Sequence, residues 1–147
     1  MTYANIPLRN PYNLYDYYSE PVSNTDTSFL SAACKIAQTS DYRFRMAALL
    51  VKSGRVLGGD VNVPRITPDT PPQRCSTHAE VRVLKSTKNT QGSTLYVARL
   101  LLNGEVAMAK PCVWCLETII SSGVSKVVFT IDDYRADSFY TNIIEWK

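Results

Sequence analysis

The sequence predicts a three-layer α/β/α sandwich built on a central mixed sheet, and three observations predict it. Two apolar runs, residues 46–51 and 56–59, flank the turn signal Lys52-Ser53-Gly54-Arg55, which makes them an antiparallel strand pair. Beyond residue 75 helical and strand patterns alternate, the arrangement that joins parallel strands. A segment with apolar residues at helical spacing precedes the pair.

Taken in order, Thr25, Asp26 or Thr27 caps a first helix whose apolar positions are Phe29, Ala32, Ala33, Ile36 and Ala37. Cys34 falls on that apolar face and reads as core. Met46 to Val51 form a buried strand, and Val56-Leu57-Gly58-Gly59 begin the return strand. Residues 64–75 hold Pro64, Pro68, Pro71 and Pro72 and read as loop. Ser76 or Thr77 caps a second helix through Ala79, Val81, Val83 and Leu84. Thr94 to Ala98 are a third strand, and Asn103-Gly104 mark a turn before a third helix that opens at Pro111 and stops at Gly123. Val127 to Ile131 are a fourth strand, and the tail from Arg135 reads as a last helix.

A chain of 147 residues accommodates one domain with a core that needs no disulfides. That domain is placed at residues 25–147. Residues 1–24 stand apart as an arm, with Pro7, Pro11, Pro21 and the cluster Tyr12, Tyr15, Tyr17 and Tyr18. Prolines at that density oppose helix and sheet, whereas tyrosines bury well. The arm either packs over the domain or a partner subunit, or offers a surface that stacks bases. The apolar content of 45% is that of a globular protein, and no apolar run is long enough to span a membrane. The N-terminus carries no signal-peptide pattern, so a cytoplasmic, reducing setting is expected. There, four cysteines point to metal rather than to disulfides. A net charge of +3 permits a nucleotide or nucleic-acid partner without demanding one.

The chemistry concentrates in His78-Ala79-Glu80 and Pro111-Cys112-Val113-Trp114-Cys115. His78, Cys112 and Cys115 make three zinc ligands, and three protein ligands leave one position open, as in catalytic zinc. A water in that position becomes acidic enough to supply hydroxide near neutral pH. His78 is placed in the first turn of one helix, and Cys112 and Cys115 on one face of the first turn of another. The partial positive charge at a helix N-terminus favours thiolate, the form that ligates. A rival set exists. Cys75 lies three residues before His78, so C-x-x-H…C-x-x-C also spells a closed, structural Cys₃His site. Against it stand Glu80 and the helix caps, which leave Cys75 outside the helix.

The pattern H-x-E…P-C-x-x-C is that of zinc nucleobase deaminases, and over residues 44–131 the chain resembles the cytidine deaminase superfamily. The likeness includes Leu116 to Gly123 after the cysteines, the strand Lys126 to Thr130, and Gly58-Gly59-Asp60-Val61-Asn62. The ligand set is that of the branch with deoxycytidylate deaminases, tRNA adenosine deaminases and APOBEC-like enzymes. The resemblance implies a cytidine deaminase-like fold, a Zn2+ cofactor, and Glu80 as the group that moves protons from water to the ring and the leaving amine. It also implies that the Ala79 backbone amide meets the ring carbonyl and that Asn62 holds the sugar or ring edge. The turn Asp132-Asp133-Tyr134-Arg135 would contact the base, with Tyr134 stacking first and Trp114 second; both residue types also serve as ordinary packing.

The reaction so implied is hydrolytic deamination at C4 of cytosine or C6 of adenine. Small size and slight basicity favour a free cytosine nucleotide or nucleoside, of the dCMP or cytidine type. The runner-up is a base within single-stranded nucleic acid, with Arg45, Arg65, Arg74 and Arg99 as candidate phosphate contacts or plain surface arginines. A third reading is a non-catalytic module. Arg82 and Val83 stand where many deoxycytidylate deaminases carry asparagine. Residues 99–110 are longer than the lead-in of tRNA adenosine deaminases. The family also implies a homo-oligomer.

Overall fold

The computed structural model describes residues 4–5, 22–40, 45–64 and 76–141. Residues 6–21, including the tyrosine cluster, lie outside the described residues, as do Arg65, Arg74 and Cys75. The elements are β1 (Ala4–Asn5), α1 (Asn24–Ala37), β2 (Arg45–Lys52), β3 (Arg55–Val61), β4 (Val63–Pro64), β5 (Ser76–Thr77), α2 (Ala79–Ser86), β6 (Thr94–Leu100), β7 (Val106–Ala107), α3 (Val113–Ser121), β8 (Lys126–Thr130) and β9 (Arg135–Tyr140).

The main sheet runs β1-β9-β8-β6-β2-β3, with β7 on β6 beyond the end of β8. It is mixed: β6 and β8 pair parallel, as do β1 and β9, while β2 pairs antiparallel with both β3 and β6. Side-chain alternation sorts the strand residues into two cores. Ala47, Leu49, Val51, Tyr96, Ala98 and Val128 pack with Leu30, Ala33, Cys34 and Ala37 of α1. Ala48, Leu50, Leu95, Val97, Val127 and Phe129 pack with Val83 and Leu84 of α2 and Leu116 and Ile119 of α3. With α1 on one face and α2 and α3 on the other, the three layers expected from the sequence are present.

Local chemistry sets the element ends. Ser53 and Gly54, both at positive φ, make the two-residue turn between β2 and β3. Gly123, at φ +80°, ends α3. Its amide donates to Ile120 O at 3.1 Å and that of Val124 to Ile119 O at 3.4 Å, the paired bonds of a Schellman cap. Val124 and Ile119 then bury together in the core.

Four expectations are corrected. Ser23, not Thr25, Asp26 or Thr27, caps α1: its Oγ accepts the Asp26 amide at 3.0 Å, which leaves Asp26 inside the first turn. Ser76 and Thr77 do not cap α2; they are β5, paired with Val63 and Pro64. His78 and Cys112 are N-caps with extended backbones, not first-turn residues. The segment after Arg135 is strand, not helix. Residues 136–139 are all buried, because both sheet faces are covered there, and such a run carries no strand alternation to read. The long stretch before the cysteines is a hairpin: Leu101 donates its amide to Glu105 O at 2.8 Å and β7 folds back on β6.

Candidate metal centre and active site

His78, Cys112 and Cys115 come together with their ligand atoms all within 4.8 Å of one another. His78 Nδ1 lies 3.0 Å from Cys115 Sγ and 3.7 Å from Cys112 Sγ. The topology achieves this by putting α2 and α3 side by side on one sheet face with both N-termini at one end. Neither His78 nor Cys112 turns its side chain back to cap its own helix; both are directed at the shared group. Their carbonyls still start the helices, accepting from Arg82 N at 3.1 Å and Leu116 N at 2.9 Å.

The donor set fits zinc. Bonds of about 2.1 Å to nitrogen and 2.3 Å to sulfur in a tetrahedron put N and S roughly 3.6 Å apart, so only small side-chain shifts separate this group from that geometry. Two sulfurs and an imidazole are also the chemistry that selects zinc over harder cations. The thiols are coupled. A hydrogen bond from Cys115 pulls Cys112 down to about 4, with burial opposing and His78 assisting. The same bond, with burial and the nearby Glu80, pushes Cys115 up. The shared bond thus shifts the two thiols in opposite directions, and a bound cation would favour thiolate at both.

Glu80 occupies the first turn of α2 and is 1% exposed. Its Oε1 has no hydrogen-bond partner among the described residues. Burial pushes its carboxyl above the usual carboxylate range, with its own backbone amide and His78 opposing. A buried carboxyl oxygen without a partner is expensive in a purely structural role. Ala79 is fully buried at the first position of α2, where backbone amides have no acceptor within the helix.

Asn62 is 3% exposed and sits where β3 leaves the sheet. Its amide donates to Met46 O at 3.1 Å, and its Oδ1 accepts the Met46 amide at 2.9 Å. The Ser40 hydroxyl donates to the same Oδ1 at 3.1 Å. Because two donors hold the oxygen, the NH2 end of the carboxamide is the one turned away from Met46. The β4–β5 ribbon brings this residue to the metal group: Val63 pairs with Thr77, and Asn62 and His78 are the next residues on either strand.

Tyr134 is 72% exposed in the turn before β9. The turn is set by Asp132, which accepts the Tyr134 amide and pairs with Arg135 at 2.8 Å. Trp114 is exposed on α3 between the two cysteines. Arg45 spends Nη2 on the Leu101 carbonyl, and Arg99 is partly buried on β6. Sequence reasoning did not single out Ser40, or Arg82 as a structural tie. Both act across a fold of the chain, which no local pattern signals.

These features could hold a metal ion beside a buried carboxyl group. The family model for the cytidine and deoxycytidylate deaminase zinc-binding region matches residues 23–131. The chain belongs to that family, and its cofactor is Zn2+. Among solved structures, the cytidine deaminase of Burkholderia pseudomallei is similar with a TM-score of 0.60 and 20% identity, covering 79% of this chain and 92% of that one. The dCMP deaminase of cyanophage S-TIM5 in apo form is similar with a TM-score of 0.54 and 24% identity, over 71% of this chain and 81% of that one. The same phage enzyme in complex with dCMP and dUMP gives a TM-score of 0.51 at 24% identity, over 69% and 76%. At these identities the likeness is one of fold. No curated protein gives a significant match. No helix among the described residues is long and apolar enough to cross a membrane.

Proposed function

We propose that this chain is a zinc-dependent hydrolase that replaces the 4-amino group of a free cytosine nucleotide or nucleoside, of the dCMP or cytidine type, with oxygen and releases ammonia. The observation that carries the reading is the buried, unpartnered Oε1 of Glu80 beside the His78–Cys112–Cys115 group. In this reading those three residues hold the metal. Zinc held there supplies the Lewis acidity that makes water nucleophilic near neutral pH.

The chain's residues do the rest. Glu80 accepts a proton from the attacking water and delivers it to the ring nitrogen next to C4. It then carries the second proton to the departing amine, so that water and aminopyrimidine become oxopyrimidine and ammonia. The raised affinity of Glu80 for protons suits a group that must both take and give them. The Ala79 amide, at a helix N-terminus, donates to the ring carbonyl in this reading. Asn62 serves the sugar or ring edge, and Tyr134 the outer face of the base. In the same reading, the catalytic domain begins at the Ser23 cap of α1 rather than at residue 25, the segment before it is an arm that lends β1 to the main sheet beside β9, and the working form is a cytoplasmic homo-oligomer.

The test is ammonia release by the zinc-loaded protein from cytosine, cytidine, dCMP, dCTP, adenosine, guanine, single-stranded DNA and tRNA, with Glu80→Ala alongside. Turnover of dCMP or cytidine that vanishes in Glu80→Ala, with zinc still bound, supports the reading. Turnover of polymer alone, falling steeply with salt, replaces it with a nucleic-acid deaminase. No turnover, with zinc lost in Cys75→Ser, replaces it with a structural metal site.

A further inference from the structure

Arg82 lies two residues beyond Glu80 on α2, and its side chain leaves the helix for the end of β3. Its Nη1 donates to the Val61 carbonyl at 2.7 Å and stands 3.1 Å from Asp60 Oδ1. That carboxylate oxygen also accepts the Val61 amide at 2.9 Å. Through its own backbone amide, Arg82 donates to the His78 carbonyl at 3.1 Å. One residue is thus bonded through its main chain to the metal-group histidine and through its side chain to the residue before Asn62.

Among the described residues β3 is the last strand of the main sheet, with β2 as its neighbour. Asn62 makes the final rung on β2 before the chain departs into β4. Ends of edge strands fray first, and the bonds at such a position open locally without unfolding the domain. Arg82 spans the gap between this end and the helix that carries Glu80.

We propose that Arg82 is a positioning residue: it holds the exit of β3, and with it the Asn62 carboxamide, in fixed relation to the zinc-holding helix. The proposal rests on the reading of Asn62 as a substrate contact. Magnitude separates this role from a stabilising one. The Arg82 and Asp60 side chains are 31% and 28% exposed, and ion pairs of that exposure contribute little to stability. Geometry is another matter, since a displacement of about 1 Å at a contact residue can cost up to about a hundredfold in rate or binding.

The experiment uses the full, zinc-loaded chain as wild type, Arg82→Ala, Arg82→Lys, Asn62→Ala and the Arg82→Ala/Asn62→Ala double variant. Steady-state kinetics on dCMP and cytidine are paired with amide hydrogen exchange across residues 61–63 and α2. Arg82→Ala is expected to raise KM about tenfold with kcat within about threefold, because a contact common to ground and transition states is weakened. Arg82→Lys, which keeps a donor and the charge, recovers part of the KM. The double variant is no worse in KM than Asn62→Ala, since Arg82 acts through Asn62. Exchange at residue 62 rises about tenfold while the α2 amides keep their protection.

Unchanged exchange at residue 62 in Arg82→Ala overturns the proposal. So do KM effects that multiply in the double variant, or a loss of zinc and kcat alongside KM, which would make Arg82 a support of the metal helix. Failure of the deaminase reading is distinct: the wild type then turns over nothing, and exchange at residue 62 alone decides the tie. Failure of the Asn62 reading is distinct as well, because Asn62→Ala then leaves KM where it was.

Discussion

Asn62 completes the last rung between β2 and β3 with its side chain: Oδ1 takes the Met46 amide at 2.9 Å while its own amide reaches Met46 O at 3.1 Å. A side-chain oxygen thus stands where a strand would offer a carbonyl, and this orients the carboxamide. Replacing Asn62 by alanine strands a part-buried amide and removes the group read as a substrate contact. We expect a loss of about 1–3 kcal/mol in urea unfolding together with a raised KM. Asn62→Asp keeps the acceptor for Met46 but lacks the NH2, so its KM rises as well. A normal KM in both variants, measured well below their unfolding temperatures, removes Asn62 from the binding site.

Glu80→Gln keeps the shape of the side chain and removes its proton traffic. Turnover should fall by about 10²–10⁴-fold, the range typical of a lost general acid–base group. Zinc content should stay at the wild-type level, because the metal group is His78, Cys112 and Cys115. The variant should also be at least as stable as the wild type, since a buried carboxyl oxygen without a partner gives way to an amide that carries no charge. Activity within tenfold of wild type would end the assignment of Glu80.

Removal of zinc by a chelator should abolish turnover and lower the unfolding temperature, both reversed by adding Zn2+. At free zinc about a thousandfold above its Kd the stabilisation is about 4 kcal/mol. Cys75→Ser should retain zinc, whereas Cys112→Ser and Cys115→Ser should lose it. Zinc measured by mass spectrometry of the native protein checks all three. Loss in Cys75→Ser would restore the four-ligand structural site.

The metal group was legible in the sequence because its chemistry fixes its spacing: three donors must converge, and helix N-termini are the places that favour thiolate. The strand pair, its Ser53-Gly54 turn and the Gly123 stop were legible for similar reasons, since each depends on a local backbone requirement. Residues 136–139 were not, because a strand buried on both faces has no alternation. Neither was the capping role of Ser23, since Thr25, Asp26 and Thr27 offer the same chemistry two to four residues later. What decides the matter is Asp26 itself, drawn into the core by Tyr96 and Lys126, which lie 70 and 100 residues away. The β4–β5 ribbon consists of two-residue strands, too short for any pattern, yet it is what sets Asn62 beside His78.

Asp26 supplies a prediction on the face opposite the metal. Tyr96 Oη donates to its Oδ1 at 2.7 Å and Lys126 Nζ to its Oδ2 at 3.0 Å. Burial pushes the Asp26 carboxyl up, but the bonds from Tyr96 and Lys126, the Lys126 charge and a bond from the Ser23 backbone amide outweigh it, so the carboxyl sits below its ordinary value of 3.8. A carboxylate depressed in the folded state contributes stability that is fully present above its unfolded pKa and is lost as pH falls through the folded one. Asp26→Asn leaves Lys126 facing a neutral amide in a largely buried site. It should cost about 3 kcal/mol at pH 7, the lower end for breaking a buried pair. The gap between variant and wild type should narrow only as pH drops below about 4, where the unfolded carboxyl begins to take up protons. Turnover per folded molecule should not change, because α1 and the metal group lie on opposite faces of the sheet. Urea unfolding of both proteins between pH 7 and pH 3 reads this directly. A gap that stays constant down to pH 3 would mean that Asp26 holds α1 by shape and hydrogen bonding rather than by charge.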